Sequence, residues 1–232
     1  MEENRFFKFV WRFNSLVLMF AGVLTIGVLG FAGYKIYQDL THERTVRDIV
    51  IVAENNHIDE KWQLGRLKKI AGSPYLMIPL FSEQSYAKAY YGKSSQSARN
   101  ILFINTINNE KRWLLDTDDY LIVRDELLSE KEYDQENRPI RAILYTVVKK
   151  DTNGDKRLTS DDKIVVALST PSGHGYKEIL NEIDVFIDYQ MLNKDTMLII
   201  YQKQGVRYSA TVALAGFTIS SQTEIPEIKR RP

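Results

Sequence analysis

Apolar positions along the chain fall into two regimes. From Ser15 to Tyr34 the sequence reads SLVLMFAGVLTIGVLGFAGY, without a charged residue. Twenty residues at about 1.5 Å each match a hydrocarbon core of about 30 Å, so the run predicts a membrane-crossing helix. Arg5, Lys8 and Arg12 precede it with Phe6, Phe7, Trp11 and Phe13, and Tyr34, Lys35 and Tyr37 follow. That basic and aromatic framing suits two membrane interfaces. A cleaved leader fits less well, because the run is long and Gly30-Phe31-Ala32 and Ala32-Gly33-Tyr34 are poor cleavage sites. Four glycines among twenty uncharged residues also argue against a soluble core helix. Gly27, Gly30 and Gly33 recur at a spacing of three, which offers a smooth stripe without a strict GxxxG. The helix is expected to run on to about Arg44.

After Gln38 the pattern changes to short Val, Ile, Tyr and Phe segments broken by Asn, Asp, Gly and Ser. Strands are expected at Val46–Ala53, Lys61–Ile70, Tyr75–Phe81, Ile101–Thr106, Arg112–Leu115 and Tyr120–Val123. Further strands are expected at Ile140–Lys149, Lys163–Ser169, Asp184–Tyr189, Thr196–Lys203 and Val206–Leu214. Asn108-Asn109, Lys194-Asp195 and Gln204-Gly205 read as hairpin turns. Leu127–Asp134 is a short helical candidate. The pattern predicts a mainly β protein: a single N-terminal transmembrane helix, then an antiparallel β-rich domain of partial propeller, sandwich or barrel type. The expected division is a flank (1–14), the span (15–36), a juxtamembrane linker (37–45), the β domain (46–222) and a tail (223–232). Two hairpins, Ile101–Leu115 and Met197–Val212, share an outline in which the second strand carries an aromatic, Trp113 or Tyr208.

Composition narrows the class. The 232 residues hold 31 Lys and Arg against 30 Asp and Glu, a net charge of +1, which removes the electrostatic case for a nucleic-acid partner. Apolar residues at 44% and charged residues at 26% exclude both a disordered polar chain and a multi-span membrane protein. With no cysteine there is no disulfide, thiolate metal site or Cys nucleophile. Three basic residues flank the span on each side, but the leading three are closer together and long trailing domains cross whatever their charge. A cytoplasmic N-terminus with an extracytoplasmic (periplasmic) body in the inner membrane is therefore expected.

The one stretch with a chemical signature is Asp151–Asp162, DTNGDKRLTSDD. It resembles the EF-hand calcium loop, and more closely the variant found in dockerin modules and in calcium loops inserted into β-structure. The resemblance covers these twelve residues. It implies Ca²⁺ as a structural cofactor with Asp151, Asn153 and Asp155 as first, third and fifth ligands. Arg157 would add a backbone carbonyl, Thr159 a hydroxyl or bridging water, and Asp162 the last carboxylate. Ca²⁺ takes six to eight hard oxygens, and alternate side chains of a tight curl supply them. Lys156 stands where the loop expects Gly, and Asp162 where it expects Glu. The flanks AILYTVV and IVVAL are strand-like, so the loop joins two strands and would bind weakly, in the ~10⁻⁴–10⁻³ M class. Asp, Asn and Gly also dominate turns for backbone reasons, so a metal-free hairpin loop is the alternative.

Other constellations are weak. There is no GxSxG, phosphate loop or HExxH. His42, His57 and His174 are scattered, and Ser172 with His174 sits in a glycine-flanked loop. Acidic runs at Asp116–Asp119 and Asp125–Glu136 read as solvated turns or faces. Trp62 and Trp113 suit a saccharide or peptide groove, or simple cross-strand packing. The tail Thr223–Pro232 reads as a surface strand or frayed end.

The layout also looks like uncharacterised bacterial single-pass envelope proteins with TolB-like blade hairpins. The expectation is a non-enzymatic accessory or interaction subunit in the bilayer beside another membrane or envelope protein. The alternatives are a ligand-binding or sensing module for calcium, glycan or peptide, and, behind it, a carboxylate-based hydrolase.

Overall fold

A computed structural model describes residues 5–41, 46–47, 49–52, 59–85, 94–129 and 138–227. The chain divides into an N-terminal helical unit and a β body. The helix, α1 (Arg5–Thr41), starts earlier than the apolar run and ends later, so part of the expected flank and linker is helical. Residues Phe9–Lys35 are long and apolar enough to cross a membrane, and Leu18, Leu24 and Ile26 are each about 70% exposed or more. Two hydroxyls within the apolar run turn back into the helix, Ser15 Oγ onto the Trp11 carbonyl (2.9 Å) and Thr25 Oγ1 onto the Ala21 carbonyl (2.8 Å). Both polar groups are thus satisfied within the segment, as a hydrocarbon environment requires.

The β body runs β1 (Val46–Arg47), β2 (Val50–Ile51), β3 (Asp59–Leu64), β4 (Lys68–Lys69), β5 (Tyr75–Ser85), β6 (Ser94–Asn105), β7 (Lys111–Trp113) and β8 (Leu121–Leu128). It continues with β9 (Ala142–Val148), β10 (Arg157–Leu158), β11 (Ile164–Ser169) and β12 (Lys177–Ile183). β13 (Val185–Asn193), β14 (Thr196–Lys203), β15 (Val206–Ala213) and β16 (Thr218–Glu224) complete it.

Three sheets form in chain order. The first is ordered β1-β6-β5-β3, with β4 also on β5 and β7 also on β6; the second is β12-β11-β9-β8; the third is the meander β13-β14-β15-β16. β2 and β10 form a separate two-stranded ladder. Pairing is antiparallel throughout the described strands except β1 on β6, where Val46 faces Ser95. All three expected turns close hairpins, joining β6 to β7, β13 to β14 and β14 to β15. At the last, Gln204 (φ 52°) and Gly205 (φ 78°) supply the two positive angles of a type I′ turn.

The second sheet lies between the other two. Leu144, Val148, Ile164, Val166 and Leu168 pack with Met197, Ile199, Tyr201 and Val212 of the third sheet. The alternate residues Ile143, Tyr145, Val147 and Ala167 pack with Met77, Ile101 and Phe103 of the first. Every residue of β9 and β11 is buried, which explains why both read as unbroken apolar runs rather than alternating ones. The body is therefore a three-layer stack, more than a two-sheet sandwich.

Besides the two-residue β10, two strands escape the sequence pattern. β12 (KEILNEI) and β16 (TISSQTE) are the edge strands of their sheets, and edges carry polar side chains that blunt unwanted pairing. The expected strand Lys61–Ile70 is interrupted at Gly65, whose N–H donates to the Pro79 carbonyl (2.8 Å). Pro79 sits where β5 faces the break between Leu64 and Lys68. A residue's N and O share one side of a strand, so the missing proline N–H faces a gap that needs no donor. Leu127 and Leu128 of the helical candidate instead end β8; its residues 130–134 lie outside the described ones.

Asp184, between β12 and β13, joins the second sheet to the third. Its carboxylate takes a hydrogen bond from Lys163 Nζ and another from the Gly205 N–H (3.0 Å). The Lys163 contact, then the backbone N–H, hold its pKa below the usual Asp value. A depressed folded-state pKa means the pair stabilises the fold above the unfolded value and loses that contribution as pH falls through the folded one. Asp184→Asn is accordingly expected to flatten the decline of unfolding free energy below about pH 4, measured by urea melts across pH.

Candidate functional site

The Asp151–Asp162 loop joins β9 to β11, which pair from Ile164 opposite Val148. It is a strand-to-strand loop, as the flanks imply. Its first part is a chain of side-chain-to-backbone hydrogen bonds. Asp151 spans the curl, Oδ1 accepting from Gly154 N (2.7 Å) and Oδ2 from Lys156 N (2.7 Å). Asn153 Oδ1 accepts from Asp155 N (2.9 Å), and Asp155 Oδ1 from Arg157 N (2.9 Å). These Asx turns impose the tight coil that the Asp, Asn and Gly content predicts. Lys156 adopts φ 62°, so the chain takes the left-handed conformation at the sixth position without the usual glycine.

Asp162 behaves differently. It is 1% exposed, and its Oδ1 accepts from Thr152 N (2.7 Å), Thr152 Oγ1 (3.1 Å) and Asn153 N (3.3 Å), while Oδ2 accepts from Thr159 N (3.0 Å). It caps the base of the loop from inside. Thr159 Oγ1 is likewise engaged, by Asp161 N (3.2 Å). Of the six residues expected as ligands, Asp151, Asn153, Asp155 and Arg157 share the curl, whereas Thr159 and Asp162 close the loop. Among the described residues no three His, Cys, Asp or Glu side chains gather to hold a metal ion.

The loop is also stitched to the body: its apolar eighth position, Leu158, suggests contact with the body, but the sequence pattern does not disclose the strand pairing that makes it. Arg157 and Leu158 pair with Ile51 and Val50, and Val52 N donates to the Lys156 carbonyl (3.0 Å). Leu158 (2% exposed) and Val50 (1%) enter the core between the second and third sheets. The apolar eighth position thus pins the loop, as its hydrophobicity suggests.

The remaining candidates do not converge on chemistry. Ser172 Oγ is bonded to Thr170 Oγ1 (2.8 Å), and His174 is exposed with its carbonyl accepting from Thr170 N (3.0 Å). His42 and His57 lie outside the described residues. In the Asp116–Asp119 turn, Thr117 Oγ1 donates to Asp119 (2.7 Å) and the Asp118 carbonyl accepts from Arg99 Nε (2.6 Å). Asp125 pairs with Lys68 (2.6 Å). Tyr145 buries its hydroxyl against Ser169 (2.8 Å), and burial pushes its pKa above the ordinary phenol value. Trp62 and Trp113 stand half-exposed on strands of the first sheet, at 43% and 41%. In comparison with known proteins, the chain matches no family model and no curated protein.

Two substitutions separate the loop's parts. Asp162→Ala leaves buried donors without partners and is expected to cost about 3 kcal/mol. Lys156→Gly relieves the left-handed strain and is expected to add up to about 1 kcal/mol, less the entropy gained by the unfolded chain. Chemical denaturation of both variants beside the parent protein measures the opposite signs.

Proposed function

We propose that this chain is a single-pass membrane-anchored accessory or interaction subunit. Its β body stands on the extracytoplasmic side of the inner membrane, next to another membrane or envelope protein. The observation that carries this reading is the pairing of an apolar, outward-exposed helix (Phe9–Lys35) with a β body that owns a complete core. A helix apolar all round suits lipid and not water. The basic cluster Arg5, Lys8 and Arg12 supports an inside N-terminus. The exposed Trp62, Leu64 and Trp113 of the first sheet favour an interaction role.

Calcium is a second, structural part of the reading. It is favoured by the way Asp151, Asn153 and Asp155 curl on alternate positions, each oxygen that accepts one N–H keeping a further lone pair. Two acids and an amide make a weak site rather than a cage, with Asp162 as the cap that holds the curl in shape.

Carbonate washing of membranes, N-terminal sequencing and co-purification in mild detergent test the first part. The protein is expected to stay in the membrane, to begin before the helix and to carry another membrane protein with it. Release by carbonate, or a mature chain starting beyond Tyr34, overturns the anchor; recovery as a lone monomer overturns the accessory role. For calcium, thermal melting at millimolar Ca²⁺ is expected to rise, and the rise to vanish in Asp151→Ala/Asp155→Ala. An unchanged wild-type melt removes calcium and leaves the anchor untouched.

A further inference from the structure

The two ends of the three-sheet stack differ in chemistry. On the third sheet the strand faces turned from the core carry Asp188, Gln190, Ser209, Thr211, Ser221 and Thr223 around Leu198 and Ile200. Ser209 and Thr223 bond to each other there (2.9 Å). The same sheet also exposes Val185 (46%), Ile187 (42%) and Leu192 (54%), so this end mixes polar and aliphatic side chains without tryptophan.

The first sheet ends otherwise. Met77, Ile101 and Phe103 point to the second sheet, so the alternating residues face away from it. The register sets Leu64 beside Leu80, and Ile78 beside Leu102, which is beside Trp113; Trp62 lies one row on, opposite Ser82. Of these six, Ile78 is buried (8% exposed), Leu80 and Leu102 are half-buried, and Trp62 (43%), Leu64 (51%) and Trp113 (41%) stand exposed. In the Trp62 row Ser82 and Ser97 are buried, Ser97 holding the Ile49 backbone, while Leu67, on the loop after β3, is 61% exposed.

Charge is distributed unevenly around this face. At one end Lys69 pairs with Leu76 and Lys111 with Ile104, which sets two exposed lysines on the same side as the apolar rows. Arg66 is exposed on the neighbouring loop. At the other end Glu60 is engaged, taking Gln84 Nε2 (3.2 Å) and standing 3.8 Å from Arg99 Nη1. Arg99 also lies 5.8 Å from the Trp62 ring. Glu110, on the turn before Lys111, is held to Asn108 (3.3 Å).

We propose that this face of the first sheet docks onto the headgroup layer of an anionic phospholipid bilayer. Tryptophan with aliphatic neighbours and bordering lysines is the composition of a membrane interface, whereas the cores of protein–protein interfaces are depleted in lysine. Lysine stems lie along apolar surface while their ammonium groups reach phosphate. The inference rests on the membrane-anchored reading, because the tether makes the encounter intramolecular and lets a small patch suffice. Anchor and face then act as two membrane signals on one chain.

The test uses the full chain, reconstituted into vesicles of phosphatidylcholine with or without phosphatidylglycerol, with bromines shallow in the acyl chains. The protein has three tryptophans, so Trp11→Phe leaves Trp62 and Trp113 as reporters. Their emission is expected to shift to the blue and be quenched in the anionic vesicles, less so in phosphatidylcholine alone. Lys69→Glu/Lys111→Glu is expected to abolish the quenching, each lysine being worth about fivefold in the docking equilibrium. Water-like, unquenched emission in both vesicles overturns the proposal. So does blue emission that bromine does not quench, which means protein, from a second copy or from this chain, covers the face. The variant Trp62→Phe/Trp113→Phe leaves Trp11 to report the anchor: unquenched Trp11 marks failure of the anchored reading, while quenched Trp11 beside unquenched Trp62 and Trp113 marks failure of the docking alone.

Discussion

The β body depends on burying one sheet from both sides. β9 and β11 contribute no exposed residue, and their alternate side chains belong to two different cores. Hydrophobic burial is roughly proportional to apolar area removed from water, so a strand pair covered twice contributes about double what a half-buried pair does. The first sheet builds on two long strands, β5 and β6, flanked by short ones, with a bulge at Arg99 and a break at Gly65, and its inner face packs on the second sheet.

The loop between these two strands shows how a hairpin of this length is kept from fraying. Asp162 binds donors from both arms, and Leu158 carries the loop into the core beside Val50. A buried carboxylate is tolerated there because four donors replace its water. The same residue types that make a calcium loop also make a self-capped turn. Here the cap is built from the last acidic position, and the curl from the first three.

The two outer sheets present different side chains to the outside. Ser, Thr, Gln and Asp with Ile187 and Leu192 finish the third sheet, while Trp62, Leu64 and Trp113 stand exposed on the first. An apolar group on a sheet face favours an interface. Together with a helix exposed along Phe9–Lys35, it gives the molecule two apolar surfaces of different kinds, one helical and one pleated.

Local chemistry alone determined much of this protein. The uncharged run Ser15–Tyr34 specified a helix, Gln204-Gly205 specified a tight hairpin, and Asp151–Asp162 specified a coiled loop, because each depends on residues close in the chain. Edge strands β12 and β16 stayed hidden, since most of their side chains are polar and face water, Leu180 and Ile183 of β12 being the buried exceptions. Long-range packing also decided that the second sheet lies between two others, that Arg157–Leu158 pairs with a segment more than a hundred residues earlier, and that Asp162 turns inward. Trp62 and Trp113 look alike in sequence to any core aromatic; only the register, which places them opposite Ser82 and Leu102, leaves them facing outward. Pairing between distant segments selects which face of a strand is covered, and that choice is made in three dimensions.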